Sequence, residues 1–236
     1  MSCIYTGLKQ SLEILAFMVA TAAVAKESDR PKPMSSADMT QKITELQTQL
    51  AALTDREMVR EVYVNYGRGI DRLDEDAYRR SFWPDAQINY GTKESITPDQ
   101  HWNGHMMNGF KVRRKAWGHL FTNQAIDITG DVAHVETYLT VMAVSKEKGN
   151  ATTIWAGRYV DKLERRGGEW RISVREYMPH FSMKANISEE YEAIWEADYF
   201  KGATSDCAVQ AAGRHDVAYA RPLKRRDRAA GPTCAE

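Results

Sequence analysis

Four runs of alternating apolar and polar residues follow one another from Trp117 to Phe181. They are "WGHLFTNQAIDIT", "VAHVETYLTVMAVS", "TTIWAGRYVDKLERR" and "EWRISVREYMPHF". Gly130-Asp131 joins the first pair and Gly167-Gly168 joins the last. A period of two sends successive side chains to opposite faces of a strand. Two-residue turns with glycine supply the positive φ that tight hairpins need. The pattern predicts a long antiparallel meander with one apolar face to cover.

What precedes the meander is helical. "MTQKITELQTQLAAL" places Met39, Ile43, Leu46, Leu50 and Leu53 at alternating spacings of four and three, a seam about two heptads long. Such a helix either packs on its own domain or pairs between subunits. Thr54 or Asp55 is expected to cap a second helix to about Ile70. Its apolar face holds Met58, Val59, Val62, Tyr63, Tyr66 and Ile70, and Asp71 stands where that face runs out. Asp74 can cap a shorter helix through "EDAYRRSF", which "WPDA" ends. "QINYG" is expected as a short strand, Pro98 opens a third helix weakened by Gly104 and Gly109, and Ser188 caps a last one.

Helices first and strands afterwards predict the α+β class. The expected architecture is a single domain over residues 37–200, its N-terminal helices packed on the concave face of a strongly curved, largely antiparallel sheet. Residues 1–36 are expected as a leader and 201–236 as a disordered tail. "ILAFMVATAAVAKE" is too short to span a bilayer with confidence and resembles the apolar core of a signal peptide. Two readings stay open: a cytoplasmic protein whose translation starts near Met34 or Met39, and an exported one with a cleaved signal.

The 32 basic and 32 acidic side chains cancel, so no basic surplus points to nucleic acid or to an anionic membrane. Cys3, Cys207 and Cys234 are too few and too dispersed for a disulfide framework. His101 and His105 stand four apart but lack a third ligand, so no metal site is expected. Neither a phosphate loop nor a nucleophile elbow occurs, and "GRGID" lacks the dinucleotide fingerprint, so no cofactor is expected.

The segments "GIDRLDED", "WPDAQINYG", "HLFTN" and "GRYVDKLERRGGEW" resemble the SnoaL-like branch of the nuclear-transport-factor-2-like superfamily over roughly residues 40–185. Within that branch the resemblance is to the lyases hexachlorocyclohexane dehydrochlorinase and bile-acid 7α-dehydratase. It implies a cone-shaped domain with a pocket between helices and sheet, no cofactor, and a homo-oligomer, a trimer or alternatively a dimer. It also implies that Asp71 and His119 form a catalytic dyad, that Tyr66 matches a pocket tyrosine and that Arg175 matches a pocket arginine. Val141 and Pro179 fall where the bile-acid enzyme carries a later acid and an arginine, which argues against a bile-acid substrate.

An imidazole is the side chain best suited to take a proton near neutrality, and a carboxylate on its other nitrogen fixes the tautomer. Period two puts His119, Phe121, Asn123 and Ala125 on one face, so Phe121 can line a pocket and Asn123 can bond a polar substrate atom. Simpler roles compete with these. Asp71 can cap a backbone N–H, His119 and Phe121 can be core residues, and Arg175 can pair with Glu176 or Asp161. The expected function is a cofactor-free lyase acting on a hydrophobic, cyclic small molecule. The alternatives are an isomerase using the same base and a non-catalytic binding or assembly subunit.

Overall fold

The computed structural model of the protein describes residues 34–91, 94–146 and 151–186. Residues 1–33 of the expected leader, the helix from Ser188, the tail and all three cysteines lie outside them. Met1–Ala51 and Ala52–Glu236 form separate compact units. In the first, the chain is helical from Ser36, and Met39, Ile43, Leu46 and Leu50 stand 47–65% exposed.

Helix α1 runs Ser36–Arg72 without a break. The new start expected at Thr54 or Asp55 does not occur, because neither residue stops a helix that has no glycine or proline at hand. Asp55 instead accepts from the Arg165 guanidinium at 2.8 Å and the Trp170 indole N–H at 3.1 Å. Val59, Val62, Tyr63, Tyr66 and Ile70 are buried at helical spacing, while Met58 sits at the exposed edge. The helix stops where Leu73 adopts a φ of 55° and the Asp74 N–H donates to the Gly69 carbonyl at 3.0 Å. That is the six-to-one bond of a Schellman end. The Asp74 carboxylate then caps α2, Glu75–Ser81, by accepting from the Ala77 N–H at 3.0 Å.

Strand β1, Phe82–Asn89, follows α2 directly. It tolerates Pro84 because it is an edge strand whose pairing is interrupted between Phe82 and Gln87. The third helical segment, α3, covers residues 98–113. It opens at Pro98–Gln100 with a Thr97–Gln100 capping box, widens to π geometry over His101–Phe110, and closes at Lys111–Arg113. Strands β2 (Arg114–Thr129), β3 (Val132–Ser145), β4 (Ala151–Arg166) and β5 (Glu169–Asn186) form the meander. The sheet order is β1-β5-β4-β3-β2, antiparallel except for the β1–β5 pair, so the sheet is curved and unclosed, with β1 and β2 as its edges. The fold is α+β.

The inner face alternates cleanly on β3: Ala133, Val135, Thr137, Leu139, Val141 and Ala143 are buried. On β2 the alternation shifts twice. One extra residue intervenes between Arg114 and Ala116, and another between Thr122 and Ala125. Each bulge exchanges the two faces of the strand. Gly67 and Gly69 lie within the unbroken helix and let neighbours approach. A Cβ on Gly67 would stand 3.0 Å from the Phe121 ring, and one on Gly69 would stand 2.5 Å from the Tyr78 backbone nitrogen. Gly69→Ala is therefore expected to lower stability by about 1–3 kcal/mol, the scale of overpacking. Gly104→Ala, into open space, is expected to cost nothing measurable. Urea unfolding of both variants checks the contrast.

Candidate active site

The end of α1 is clipped to β2 by three hydrogen bonds. The Trp117 indole N–H donates to the Ile70 carbonyl at 3.0 Å, one of the helix-end acceptors with no intrahelical donor. The His119 backbone N–H donates to Asp71 Oδ2 at 3.0 Å. The His119 ring Nδ1 lies 2.6 Å from Asp71 Oδ1, so the carboxylate grips one residue by backbone and by ring. In the neutral ring this geometry puts the proton on Nδ1 and the lone pair on Nε2. Asp71 does two jobs: it caps a strand N–H, and it orients an imidazole.

His119 lines a cavity of about 270 Å³. Tyr66, Tyr90, Tyr159 and Tyr177 supply phenols to its wall, and Leu139, Val141, Met106 and Trp155 supply apolar surface. Tyr66 and Tyr159 are nearly inaccessible, with their hydroxyls 3.3 Å apart. Burial raises the pKa of Tyr90 and Tyr159 well above the usual phenol value, and raises that of Tyr177 less, so all three stay protonated donors near neutrality.

The helix α3 contributes His101 and His105. His101 is buried, with Nδ1 2.7 Å from the Tyr78 hydroxyl and Nε2 3.1 Å from the Tyr90 hydroxyl. Tyr78 donates to the Pro98 carbonyl at 3.2 Å, so the consistent assignment has Nδ1–H donating to Tyr78 and Tyr90 donating to Nε2. Both ring nitrogens are thereby engaged. Burial, with His105 adding to it, holds the His101 pKa well below the usual imidazole value. His105, stacked on Tyr90 and His101 with solvent at its other side, is lowered by desolvation and by the charge of Arg113. Among the described residues no group of three or more His, Cys, Asp or Glu side chains is placed to hold a metal ion.

The residues expected at the site divide. Asp71, His119 and Tyr66 come together as described. Phe121 does not line the cavity; its ring backs the imidazole at 6.2 Å and packs on Tyr63 and Tyr66. Asn123 does not share the His119 face. It sits in the second bulge with a φ of 49° and is exposed, and Ala125 beyond it pairs with Glu136 on the outer face. Arg175 is fully buried behind the site. Its guanidinium bonds Asp161 at 2.7 and 3.0 Å and lies 3.8 Å from the Tyr159 ring centroid and 4.3 Å from that of Tyr66. Burial alone would lower its pKa, but the Asp161 charge and hydrogen bonds outweigh that and raise it. The sequence reading passed over Tyr159 and Tyr177. Period two on β4 would have found Tyr159, which lies four residues from Trp155 and two from Asp161.

A family profile for the SnoaL-like domain matches residues 51–176. No curated protein is significantly similar in sequence. Among solved structures, a type 2 hexachlorocyclohexane dehydrochlorinase superposes with a TM-score of 0.52 at 18% identity, covering 58% of this chain and 93% of that one. A type 3 dehydrochlorinase from Novosphingobium barchaimii gives 0.52 at 19% identity, over 58% and 94% of the two chains. A putative scytalone dehydratase from Novosphingobium aromaticivorans gives 0.51 at 16% identity, over 58% and 91%. At these identities the likeness is one of fold.

The depressed His101 pKa has a consequence for stability. Below about pH 6.5 an unfolded chain protonates this histidine, whereas the folded one does not until a lower pH. Stability from this group is complete above that value and is lost as the pH falls toward the folded pKa. The urea midpoint is expected to drop between pH 7 and pH 5, and to drop less steeply in His101→Gln. Equal slopes in the two proteins would remove His101 as the cause.

Proposed function

The chain belongs to the SnoaL-like family, and from that premise we propose that it is a cofactor-free lyase that removes a C–H proton with His119. The observation that carries the reading is the two-point grip of Asp71 on His119 beside a phenol-lined cavity. Family membership supports a protein that processes small molecules, in a family with lyase and isomerase chemistry. The structural neighbours, a dehydrochlorinase and a putative scytalone dehydratase, belong to the same fold.

In the proposed elimination, Nε2 of His119 takes the proton from carbon. The C–H electron pair forms the new double bond, and the leaving group departs from the adjacent carbon with its bonding pair. Asp71 stabilises the imidazolium and keeps Nε2 available for the next turnover. A cavity phenol donates to the departing or developing oxygen; the buried Tyr66 and Tyr159 hydroxyls in the cavity wall, 3.3 Å apart, support this reading. The volume stands at the low end of ligand pockets, which favours a substrate of one or two rings over a four-ring steroid. Phe121 acts by holding the imidazole plane, and Arg175 by holding the aromatic frame.

His119→Ala is expected to lower turnover by about a hundredfold or more, the scale of general-base loss. Asp71→Asn is expected to be severely impaired, because the amide can favour the wrong tautomer, and the double variant to be little worse than His119→Ala. Turnover should fall on the acid side, since a protonated ring accepts nothing. Mass detection of eliminated product from a panel of ring-bearing alcohols and halides supplies the assay. Full activity in Asp71→Asn would sink the dyad.

We also propose that the protein is a homo-oligomer. Two exposed apolar surfaces support this: the heptad positions of α1 and the outer sheet residues Tyr138, Met142, Val160, Met178 and Phe181. Among the described residues no helix is long and apolar enough to cross a membrane. Light scattering at micromolar concentration is expected to give a multiple of the 26.8 kDa chain. A monomer would overturn the proposal.

A further inference from the structure

We propose that Arg114, with Arg113 beside it, forms an anion subsite of the cavity, and that the substrate is a ring-bearing apolar molecule ending in a carboxylate or sulfate. This rests on reading the cavity as a substrate site, and it does not depend on the dyad.

Both arginines line the cavity, and among the described residues no aspartate or glutamate does. Five arginines elsewhere in the molecule hold acids: Arg79 with Glu75, Arg158 with Glu136, Arg165 with Asp55, Arg166 with Asp85, Arg175 with Asp161. Arg113 and Arg114 have no such pair among the described residues. Arg114 is held by aromatic faces instead, 5.0 Å from the Trp155 ring and 5.8 Å from that of Phe110. A guanidinium fixed through its face keeps its N–H edge for a planar oxyanion. The nearby imidazoles do not cancel this charge, and His101 is kept neutral by burial.

Arg114 reaches this position through the first β2 bulge. Trp117 and His119 point inward, so strict alternation would turn residue 114 outward. The extra residue between Arg114 and Ala116 sets Arg114 opposite Ser145, on the same face as Ala143 and Val141, which stand opposite Trp117 and His119. Bulges re-aim side chains next to functional sites. Four β3 residues separate the partners of Arg114 and His119, so their Cα atoms lie roughly 13 Å apart along the strand at about 3.3 Å per residue. One or two rings between an anionic head and the reacting carbon fit that interval once the side chains reach inward. A helix C-terminus favours a cation and accounts for Arg113. It does not account for Arg114, which lies beyond the helix.

The test compares 2-naphthoate and 2-naphthalenesulfonate with neutral 2-naphthamide by calorimetric titration at pH 8, above the ordinary imidazole range. At least one anion is expected to bind about tenfold or more tightly than the amide, the scale of one charge-assisted hydrogen bond. The tighter anion identifies the head group. The preference should shrink as salt is raised from 50 to 500 mM, largely vanish in Arg114→Gln, and persist in part in Arg114→Lys. His119→Gln should keep it, which separates this subsite from the dyad: lost turnover with intact anion preference counts against neither the subsite nor its position. Equal binding of anions and amide, no binding at millimolar concentration, or a preference that disappears in His119→Gln but survives in Arg114→Gln would each overturn the proposal. The salt titration of the unaltered protein decides the matter even if Arg114→Gln does not fold.

Discussion

An ion pair sealed from water stands at the centre of this fold. Arg175 on β5 faces Asp161 on β4 in register, and both side chains are wholly inaccessible. Taking two charges out of water costs several kcal/mol each, and only close geometry with further hydrogen bonds offsets it. Here the guanidinium makes two short contacts with the carboxylate, and Tyr63 of α1 donates to the same carboxylate at 2.7 Å. The remaining faces of the cation lie on the Tyr66 and Tyr159 rings. One charge pair thus joins a helix to two strands and fixes the rings whose hydroxyls close the cavity. Removing either partner would strand a charge in the core, which typically costs about 3–5 kcal/mol. Arg175 thus supports the cavity wall without lining it.

The second constraint is the broken alternation of β2. A regular strand at a sheet edge would show the cavity every second residue. Two bulges divide this strand into three phases, and only the middle phase carries Trp117, His119 and Phe121 inward. The three bonds to the end of α1 fall within that phase, so helix and strand lock where the imidazole must stand.

Much of this was legible in the sequence. The hairpin glycines and the period-two runs placed four strands, because turn chemistry and alternation are local. Asp71 and His119 were legible as a pair only through resemblance; nothing local ties residues 48 apart. Asn123 was misplaced because a bulge leaves no mark in an alternating sequence, and Thr122-Asn123-Gln124 reads as ordinary strand. Arg175 was ambiguous for a different reason. Its register partner depends on the shift between Lys162 and Leu163, which sets it opposite buried Asp161 and not exposed Val160. The break expected in α1 failed because capping residues permit a helix start without requiring one.

The π-helical stretch His101–Phe110 carries a consequence for how this protein can change. A π turn holds about one residue more than an α turn. Deleting a single residue between Gly104 and Gly109 would let the segment relax to ordinary α geometry while its ends stay anchored by the Thr97 capping box and by β2. The anchored ends absorb the lost residue in the change from π to α geometry, so only the side chains beside the deletion turn. Met106 would shift its place in the cavity wall while Asp71 and His119 stayed where they are. The cavity lining can thus drift by codon loss, leaving the Asp71–His119 pair undisturbed.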